Sequence, residues 1–180
     1  MEASKDIHLG DKVFTIAISS SEIQDRIHRL AEEISNEYAD KCPVILGVMN
    51  GVYRFAADLT RHFDFECRVD FLKVSSYEGT ASSGKVKSQA GLREDIQGRD
   101  VLILEDIVDT GTTISHLLPI LAEFKPKTLK IATLLFKPDA YRKSHNIDFV
   151  AFEIPDNFVV GYGLDYNGMG RNLNSIYQLK

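Results

Sequence analysis

Short apolar runs alternate along the chain with segments in which apolar residues recur at helical spacing. The apolar runs cover residues 43–49, 101–104 and 129–136. Runs of this length and composition are typical of strands that are buried on both faces. The helical spacing occurs in residues 22–38, 52–63 and 114–124. Strands that alternate with amphipathic helices predict an α/β fold, with a mostly parallel, twisted sheet flanked by helices.

Local signals add further strands and define the start of the first helix. A short peripheral strand is predicted at residues 13–18, other strands at 67–75 and 149–154, and a terminal strand at 172–179. Three serines at 19–21 precede the first helix and can cap its N-terminus. Among them, Ser21 lies three residues before Gln24, which is the spacing of a capping box. We therefore expect Ser21 to cap this helix.

The end of the strand at 101–104 carries the densest chemistry in the chain. Three carboxylates and a small, hydroxyl-rich loop follow this strand: Glu105, Asp106, Asp109, Thr110, Gly111, Thr112 and Thr113. Glycine lets the backbone approach a ligand closely, and the N–H groups at a helix N-terminus bind anions. The acids suit sugar hydroxyls or a hydrated Mg²⁺ better than a bare phosphate. The stretch thus predicts a phosphorylated sugar, with its phosphate on the helix N-terminus and its hydroxyls on the acids.

Two other interpretations of this loop are available. An ordinary strand-to-helix loop would also have solvated acids and threonines that cap the helix. Three acids at the carboxyl end of a strand favour a ligand site, because ligands of open α/β sheets bind at that edge. A nucleoside triphosphate-binding P-loop is disfavoured, because its motif requires a lysine that this loop lacks.

Composition narrows the class of protein. The 180 residues carry a formal net charge of −5, with 44% apolar and 26% charged residues, which fits one domain with a sizeable core. The negative charge disfavours non-specific nucleic-acid binding, which needs a basic surface. We expect Cys42 and Cys67 to be reduced core thiols, and the histidines lack metal-ligand spacing. No signal peptide or membrane-spanning run is evident, so the cytoplasm is the expected compartment.

Several separate blocks resemble one enzyme family. The stretch 101–113 resembles the phosphoribosyl pyrophosphate (PRPP) signature of type I phosphoribosyltransferases. The blocks Phe-Glu-Ile-Pro-Asp, Phe-Val-Val-Gly-Tyr and Leu-Asp-Tyr-Asn, between residues 152 and 167, resemble the hypoxanthine and hypoxanthine-guanine members of that family. The resemblance implies one domain over residues 1–180, with a hood from the N- and C-terminal segments over the carboxyl edge of the sheet. It also implies a mobile loop at about 75–90 that closes over the reacting centre.

The resemblance implies a purine-salvage reaction. In this reaction, Mg²⁺ assists transfer of the phosphoribosyl group from PRPP to hypoxanthine, and to guanine, which gives IMP or GMP and pyrophosphate. The contacts implied for PRPP and pyrophosphate, besides the signature, are Asn50, Gly51, Ser76, Tyr77, Asp165 and Arg171. The residues implied for Mg²⁺ are Glu105, Asp106 and Asp165. The first loop of the family often contains a non-proline cis peptide, for which Met49–Asn50 is the candidate, and often has a basic residue at the position of Asn50.

The purine side is also implied by the resemblance. Lys137 donates to the 6-oxo group, which disfavours adenine because lysine has donors only. Phe158 stacks on the base, the Val159 backbone reads its Watson–Crick edge, and Asp109 manages the N7 proton. The alternatives are a xanthine-preferring or pyrimidine enzyme, and a non-catalytic PRPP-sensing regulator. The family suggests a homodimer or homotetramer, with neither nucleic acid nor membrane as a partner.

Overall fold

A computed structural model of the protein describes residues 6–73 and 92–180. The predicted mobile loop at about 75–90, with Ser76 and Tyr77, lies outside these described residues. The described elements comprise three helices and two sheets. The first sheet is parallel and the second is antiparallel.

The central sheet has five parallel strands, as the alternating pattern predicts. These strands are β3 (Val44–Met49), β4 (Arg68–Lys73), β5 (Asp100–Val108), β6 (Thr128–Phe136) and β7 (Phe149–Glu153). Their spatial order is β4-β3-β5-β6-β7. The three apolar runs form β3, β5 and β6, the three interior strands, because only interior strands are covered on both faces and paired at both edges.

Strand β5 extends further than its apolar run. It continues through Glu105 and Asp106 to Val108, so the prediction that these acids follow the strand is wrong. The reason is asymmetric pairing: β5 leaves β3 after the Gly47–Leu104 pair but stays paired with β6 as far as Val108. The acids therefore lie on strand backbone beyond the point where pairing with β3 stops, although β3 itself continues to Met49 beside β4.

The three helices cover opposite faces of the central sheet. They are α1 (Ser20–Tyr38), α2 (Tyr53–Thr60) and α3 (Thr112–Ala122). Alternate strand residues, such as Ile45 and Leu102, pack in one apolar cluster with α1 and α2, whereas Leu46 and Ile103 pack in a second cluster with α3. This alternation is the period of two that a strand imposes on its side chains. No helix in the described ranges has the combined length and apolar character that crossing a membrane requires.

Helix α1 is capped two residues earlier than the serine spacing suggested. Ser19, not Ser21, is the N-cap: its hydroxyl accepts from Glu22 N at 3.3 Å, and Glu22 Oε2 accepts from Ser19 N at 2.9 Å. The capping box is thus Ser19 with Glu22. This register starts the helix early enough for Ile23 to be fully buried.

The terminal segments form a second, antiparallel sheet, called the terminal sheet here. It contains β1 (Ile7–Leu9), β2 (Lys12–Ile18), β8 (Val159–Val160) and β9 (Ile176–Leu179), in the order β1-β2-β9-β8. The chain before β9 lies against the loop after β3: a side chain at Gly163 would overlap the carbonyl oxygen of Gly51. The terminal sheet is therefore held at the carboxyl edge of the central sheet, where a hood was expected.

The cysteines and the β4 surface differ from a simple core pattern. Both cysteines are free; Cys42 is exposed, so the prediction of a core thiol is wrong for it, whereas Cys67 is partly buried and packs against the core cluster that contains α1 and α2. Both residues lie outside the strands, next to the start of β3 and β4. On β4, Val69 and Phe71 are exposed and Asp70 is buried, because the Asp70 carboxylate accepts from the backbone N–H groups of Arg93 and Glu94 at 2.8 and 3.1 Å.

We predict that Ser19→Ala lowers the free energy of unfolding by about 1 kcal/mol, because it removes the N-cap acceptor of α1. Urea unfolding followed by circular dichroism measures the change. Ser21→Ala is the matched control, because it removes the same hydroxyl two residues later and should cost at most about 0.5 kcal/mol. The reverse order of the two losses would restore Ser21 as the cap.

Candidate active site

Glu105 is a buried acid at the end of β5. It is 4% exposed, and its Oε1 has no hydrogen-bond partner within the described part of the chain. Burial, with the neighbouring Asp106 charge, raises the pKa of this carboxyl well above its usual range. The side chain lines a cavity of about 200 Å³ together with the loop that follows β5. A buried acceptor without a partner costs stability, so this cavity suits a donor such as a sugar hydroxyl.

Asp106 lies against the loop that follows β3. Its Oδ1 accepts from Ile107 N at 2.9 Å, and a side chain at Gly51 would overlap its Oδ2. Burial raises the pKa of this carboxyl from its ordinary value of 3.8 to about 6; Asp165 also raises it and Arg171 opposes the increase. Only glycine at 51 leaves room for this carboxylate, so the loop and the acid form one unit. The Met49–Asn50 peptide at the start of the loop is cis.

The loop from Asp109 to Thr113 leads into the N-terminus of α3. Gly111 is the N-cap residue, with a φ of 80°, and the ring of Tyr141 packs where its side chain would be. The Thr110 and Thr112 hydroxyls lie 2.9 Å apart and form a hydrogen bond. A glycine cap supplies no side-chain acceptor, so the N–H groups of the first turn remain available to an anion. The geometry fits the phosphate site that the sequence predicts.

Lys137 is held between two carboxylates at the end of β6. It is 6% exposed, and its Nζ lies 3.2 Å from Asp109 Oδ2 and 3.0 Å from Asp156 Oδ1. Parallel pairing of β6 with β5 on one side and with β7 on the other brings these acids to the same sheet edge. Asp156 is the last residue of the Phe-Glu-Ile-Pro-Asp block, but no role was predicted for it from the sequence. The signal that could have identified Asp156 was its position just after β7, at the edge that Lys137 also occupies.

Asp165 and Arg171 form an ion pair in the segment between β8 and β9. Arg171 Nη1 also donates to Gly163 O at 2.8 Å, and Asp165 Oδ2 accepts from Gly168 N at 2.7 Å. The segment is therefore cross-linked by its own side chains. It presents an arginine fork, which suits bidentate binding of phosphate oxygens.

Phe158 presents an apolar face beside this edge. Its side chain is 46% exposed, and its ring centroid lies 6.3 Å from that of Phe14 and 6.0 Å from that of Tyr166. Leu179 N donates to Phe158 O at 2.9 Å, so Phe158 and Leu179 form a hydrogen-bonded pair of the antiparallel sheet.

The backbone N–H and C=O of the next residue, Val159, point away from β9, because hydrogen-bonded and non-hydrogen-bonded pairs alternate along antiparallel strands. Since β8 is an edge strand, these two backbone groups are available to a ligand.

Comparison with known proteins places this arrangement in one family. The model of the phosphoribosyl transferase domain matches residues 19–167. The chain belongs to the phosphoribosyltransferase family. It is 46% identical to the hypoxanthine-guanine phosphoribosyltransferase of Bacillus subtilis over 166 residues, or 92% of each chain. It is 41% identical to the enzyme of that name from Aquifex aeolicus over 171 residues, or 94% of this chain and 96% of that one.

Solved structures of the family have the same fold. A hypoxanthine-guanine phosphoribosyltransferase from Bacillus anthracis superposes with a TM-score of 0.83 at 33% identity, and the match covers 98% of each chain. The hypoxanthine phosphoribosyltransferase of Trypanosoma cruzi, in complex with its product IMP, gives 0.82 at 32% identity, covering 98% of this chain and 94% of that one. The predicted type I phosphoribosyltransferase fold is thus confirmed.

The structure brings most of the predicted site residues of this phosphoribosyltransferase to one sheet edge. The acids of β5 and the loop to Thr113 lie at the end of β5, and Lys137 contacts Asp109. Asn50 and Gly51 lie beside Asp106, while Asp165 and Arg171 are near enough to shift its pKa. The roles assigned to these residues remain predictions.

The predicted metal ligands are not assembled as a complete site. Across residues 6–73 and 92–180, no three His, Cys, Asp or Glu side chains are grouped closely enough to hold a metal ion. Glu105, Asp106 and Asp165 therefore do not form a protein cage. Mg²⁺ is commonly held by one or two carboxylates together with substrate oxygens, and Asp106 with Asp165 fits that arrangement.

We predict that the raised pKa of Asp106 makes stability depend on pH. Its folded pKa of about 6 exceeds its ordinary value of 3.8, so the folded state holds the proton more tightly. This contribution is greatest below pH 4 and is lost as pH rises towards 6. The unfolding free energy of Asp106→Asn minus that of the wild type should therefore be roughly 1 kcal/mol larger at about pH 8 than at about pH 5.

Urea unfolding of both proteins at each pH measures this difference. Asp139→Asn, at an exposed position, is the control and should follow the wild type. Parallel pH profiles for the wild type and Asp106→Asn would show that Asp106 ionises normally.

Proposed function

We propose that this protein is a purine-salvage enzyme that uses Mg²⁺ to transfer the phosphoribosyl group of PRPP to hypoxanthine and guanine. The products are IMP or GMP and pyrophosphate. The observation that carries the proposal is Lys137, which is buried and held at 3.0–3.2 Å by Asp156 and Asp109 beside the phosphate loop. It is a cation fixed where a base would meet a bound sugar phosphate. The relatives named above support the same reaction.

The sugar phosphate is bound by the end of β5 and the start of α3. The 5′-phosphate accepts from the N–H groups of the first turn of α3 and from the threonine hydroxyls. The ribose hydroxyls fill the cavity beside Glu105, where one donates to the unpartnered Oε1. The substrate thus supplies the hydrogen bond that this buried carboxyl lacks.

Pyrophosphate is bound by the loop after β3 and by Arg171. Negative charge grows on this leaving group as the bond to the ribose carbon breaks. Arg171 and the N–H groups near Asn50 and Gly51 stabilise that charge. Asp106 and Asp165 would hold Mg²⁺, which neutralises phosphate charge when it is bound.

The purine is held between Phe158 and Lys137. The exposed face of Phe158 stacks on the base, and the free N–H and C=O of Val159 face its Watson–Crick edge. Lys137 donates to a 6-oxo group and would meet another donor on adenine, so adenine is rejected. Asp109 Oδ2, which contacts Lys137 Nζ, is placed to manage the N7 proton as the base bonds to the sugar.

We further propose that the enzyme is a cytoplasmic homodimer or homotetramer. Two free cysteines suit a reducing compartment. The proposal of a homodimer or homotetramer rests on the family resemblance alone. Two other functions remain as alternatives: a phosphoribosyltransferase that prefers xanthine, and a PRPP-sensing regulator without catalysis. The substrate panel below separates them.

We predict that the protein, assayed with PRPP and Mg²⁺, converts hypoxanthine and guanine but not adenine or uracil. Initial rates with these bases and xanthine, measured in parallel, test this specificity. Fastest turnover of xanthine would favour the first alternative. Binding of PRPP without turnover of any base would favour the regulator. Loss of turnover when the metal is chelated, and its return on adding Mg²⁺, would support the metal requirement.

We predict that Asp109→Asn lowers kcat by roughly 10²–10⁴-fold, because it removes the group that manages the N7 proton. PRPP binding, measured by calorimetry, should change little, because Asp109 faces Lys137 rather than the phosphate. Asp139→Asn is the control for loss of one carboxylate near Lys137, and it should keep the wild-type kcat. Wild-type turnover in Asp109→Asn would remove this residue from the chemistry.

A further inference from the structure

The first turn of α2 touches two loops that are remote from each other in sequence. It directly follows the loop of Asn50 and Gly51, and its side chains contact the chain around Arg171. The two loops are the proposed pyrophosphate-binding loops. Their relative position determines whether Arg171 and the N–H groups near Gly51 reach the same phosphate oxygens.

Arg54 makes most of the contacts between α2 and the second loop. Its Nη1 donates to Asn172 O at 3.0 Å and to Leu173 O at 2.7 Å, and its Nη2 donates to Asn174 Oδ1 at 2.9 Å. The guanidinium also lies over the Tyr162 ring, with 4.9 Å between Cζ and the ring centroid. One planar side chain thus fixes three successive residues after Arg171. A planar fork loses less freedom on forming such bonds than a flexible amine does.

Tyr53 adds a contact to Arg171 itself. Its hydroxyl donates to Arg171 O at 3.0 Å. The same carbonyl accepts from Gly163 N at 3.0 Å, so the backbone of Arg171 is held from two directions. The Arg171 side chain is thereby left to its pairing with Asp165 and to a ligand.

The surface under Arg54 is itself rigidly held. Tyr162, over which Arg54 lies, donates from its hydroxyl to Asp58 Oδ2, and Gln24 Nε2 donates to the same oxygen at 2.9 Å. Tyr162 is 1% exposed. This network joins α1, α2 and the segment before β9, so Arg54 acts from a fixed base.

We propose that Arg54 is a positioning residue that sets Arg171 against the Gly51 loop for pyrophosphate binding. The inference rests on the proposed function, because it assigns pyrophosphate to these two loops. Arg54 does this through the backbone of residues 171–174 and without touching the substrate. Without its fork, Asn172 O, Leu173 O and Asn174 Oδ1 each lose the Arg54 donor; Leu173 O still accepts from Tyr162 N, but the segment that carries Arg171 is held less firmly against α2.

We expect Arg54→Met to raise the KM for PRPP by about tenfold or more, and to weaken binding of pyrophosphate with Mg²⁺ by a similar factor, since several hydrogen bonds are lost. The KM for hypoxanthine should stay within about twofold, because the purine contacts belong to other elements. Arg54→Lys keeps the charge without the fork, so its KM for PRPP should lie between those of the wild type and Arg54→Met. Tyr53→Phe should raise this KM by about threefold.

A double-variant comparison separates positioning from a general loss of structure. If Arg54 acts through Arg171, adding Arg54→Met to Arg171→Met should weaken pyrophosphate binding no further. A merely structural role would make the two losses multiply. Arg29→Met, at an exposed position on α1, is the matched control and should leave both constants unchanged. Thermal unfolding of every variant shows whether it is folded.

The inference is overturned if folded Arg54→Met keeps the wild-type KM for PRPP and the wild-type affinity for pyrophosphate. It is also overturned if Arg54→Lys recovers fully, since charge alone would then suffice. Failure of the proposed function is distinguishable: wild-type protein would bind pyrophosphate or PRPP but turn over no purine. The binding measurements on the variants would still decide the role of Arg54.

Discussion

The site depends on a stack of three backbone and side-chain surfaces that leaves no room for an added carbon atom. Asp106 lies against the α-carbon of Gly51, and the carbonyl oxygen of Gly51 lies against Gly163. The stack joins the end of β5, the loop after β3 and the segment after β8. Each of these supplies a different part of the proposed site, so close packing of three chain segments sets the geometry of the whole.

The two acids of β5 have an energetic cost in the folded protein. Glu105 and Asp106 are adjacent, the first is buried and the second partly buried, and both carboxyl pKa values are raised. Two acids in such a place destabilise the fold unless donors or cations reach them. β5 leaves β3 at Leu104, which opens the space from which a ligand can approach. The fold thus tolerates a local cost at the position where binding can offset it.

The sequence patterns predicted those features that depend on neighbouring residues. β3, β5 and β6 follow from continuous apolar runs, and the tight turn into α3 follows from Gly111 and its threonines. The predicted end of β5 was wrong because pairing with β6, rather than apolar character, decides where this strand stops. The predicted N-cap of α1 was wrong because three consecutive serines are equivalent until packing selects the helix register. Asp156 and Arg54 had no assigned role, since their partners lie 19 and more than 100 residues away in sequence.

The division of the site between two sheets has a thermodynamic consequence. Phe158 and Arg171 belong to the terminal sheet and its connection, whereas Lys137 and Glu105 belong to the central sheet. A nucleotide that touches both sides is a non-covalent cross-link between them. Such a ligand would bind the folded chain and not the unfolded one, so the free energy of unfolding would rise with the logarithm of its concentration. If the proposed site binds its nucleotide, the cellular pool of that nucleotide would help to keep this chain folded.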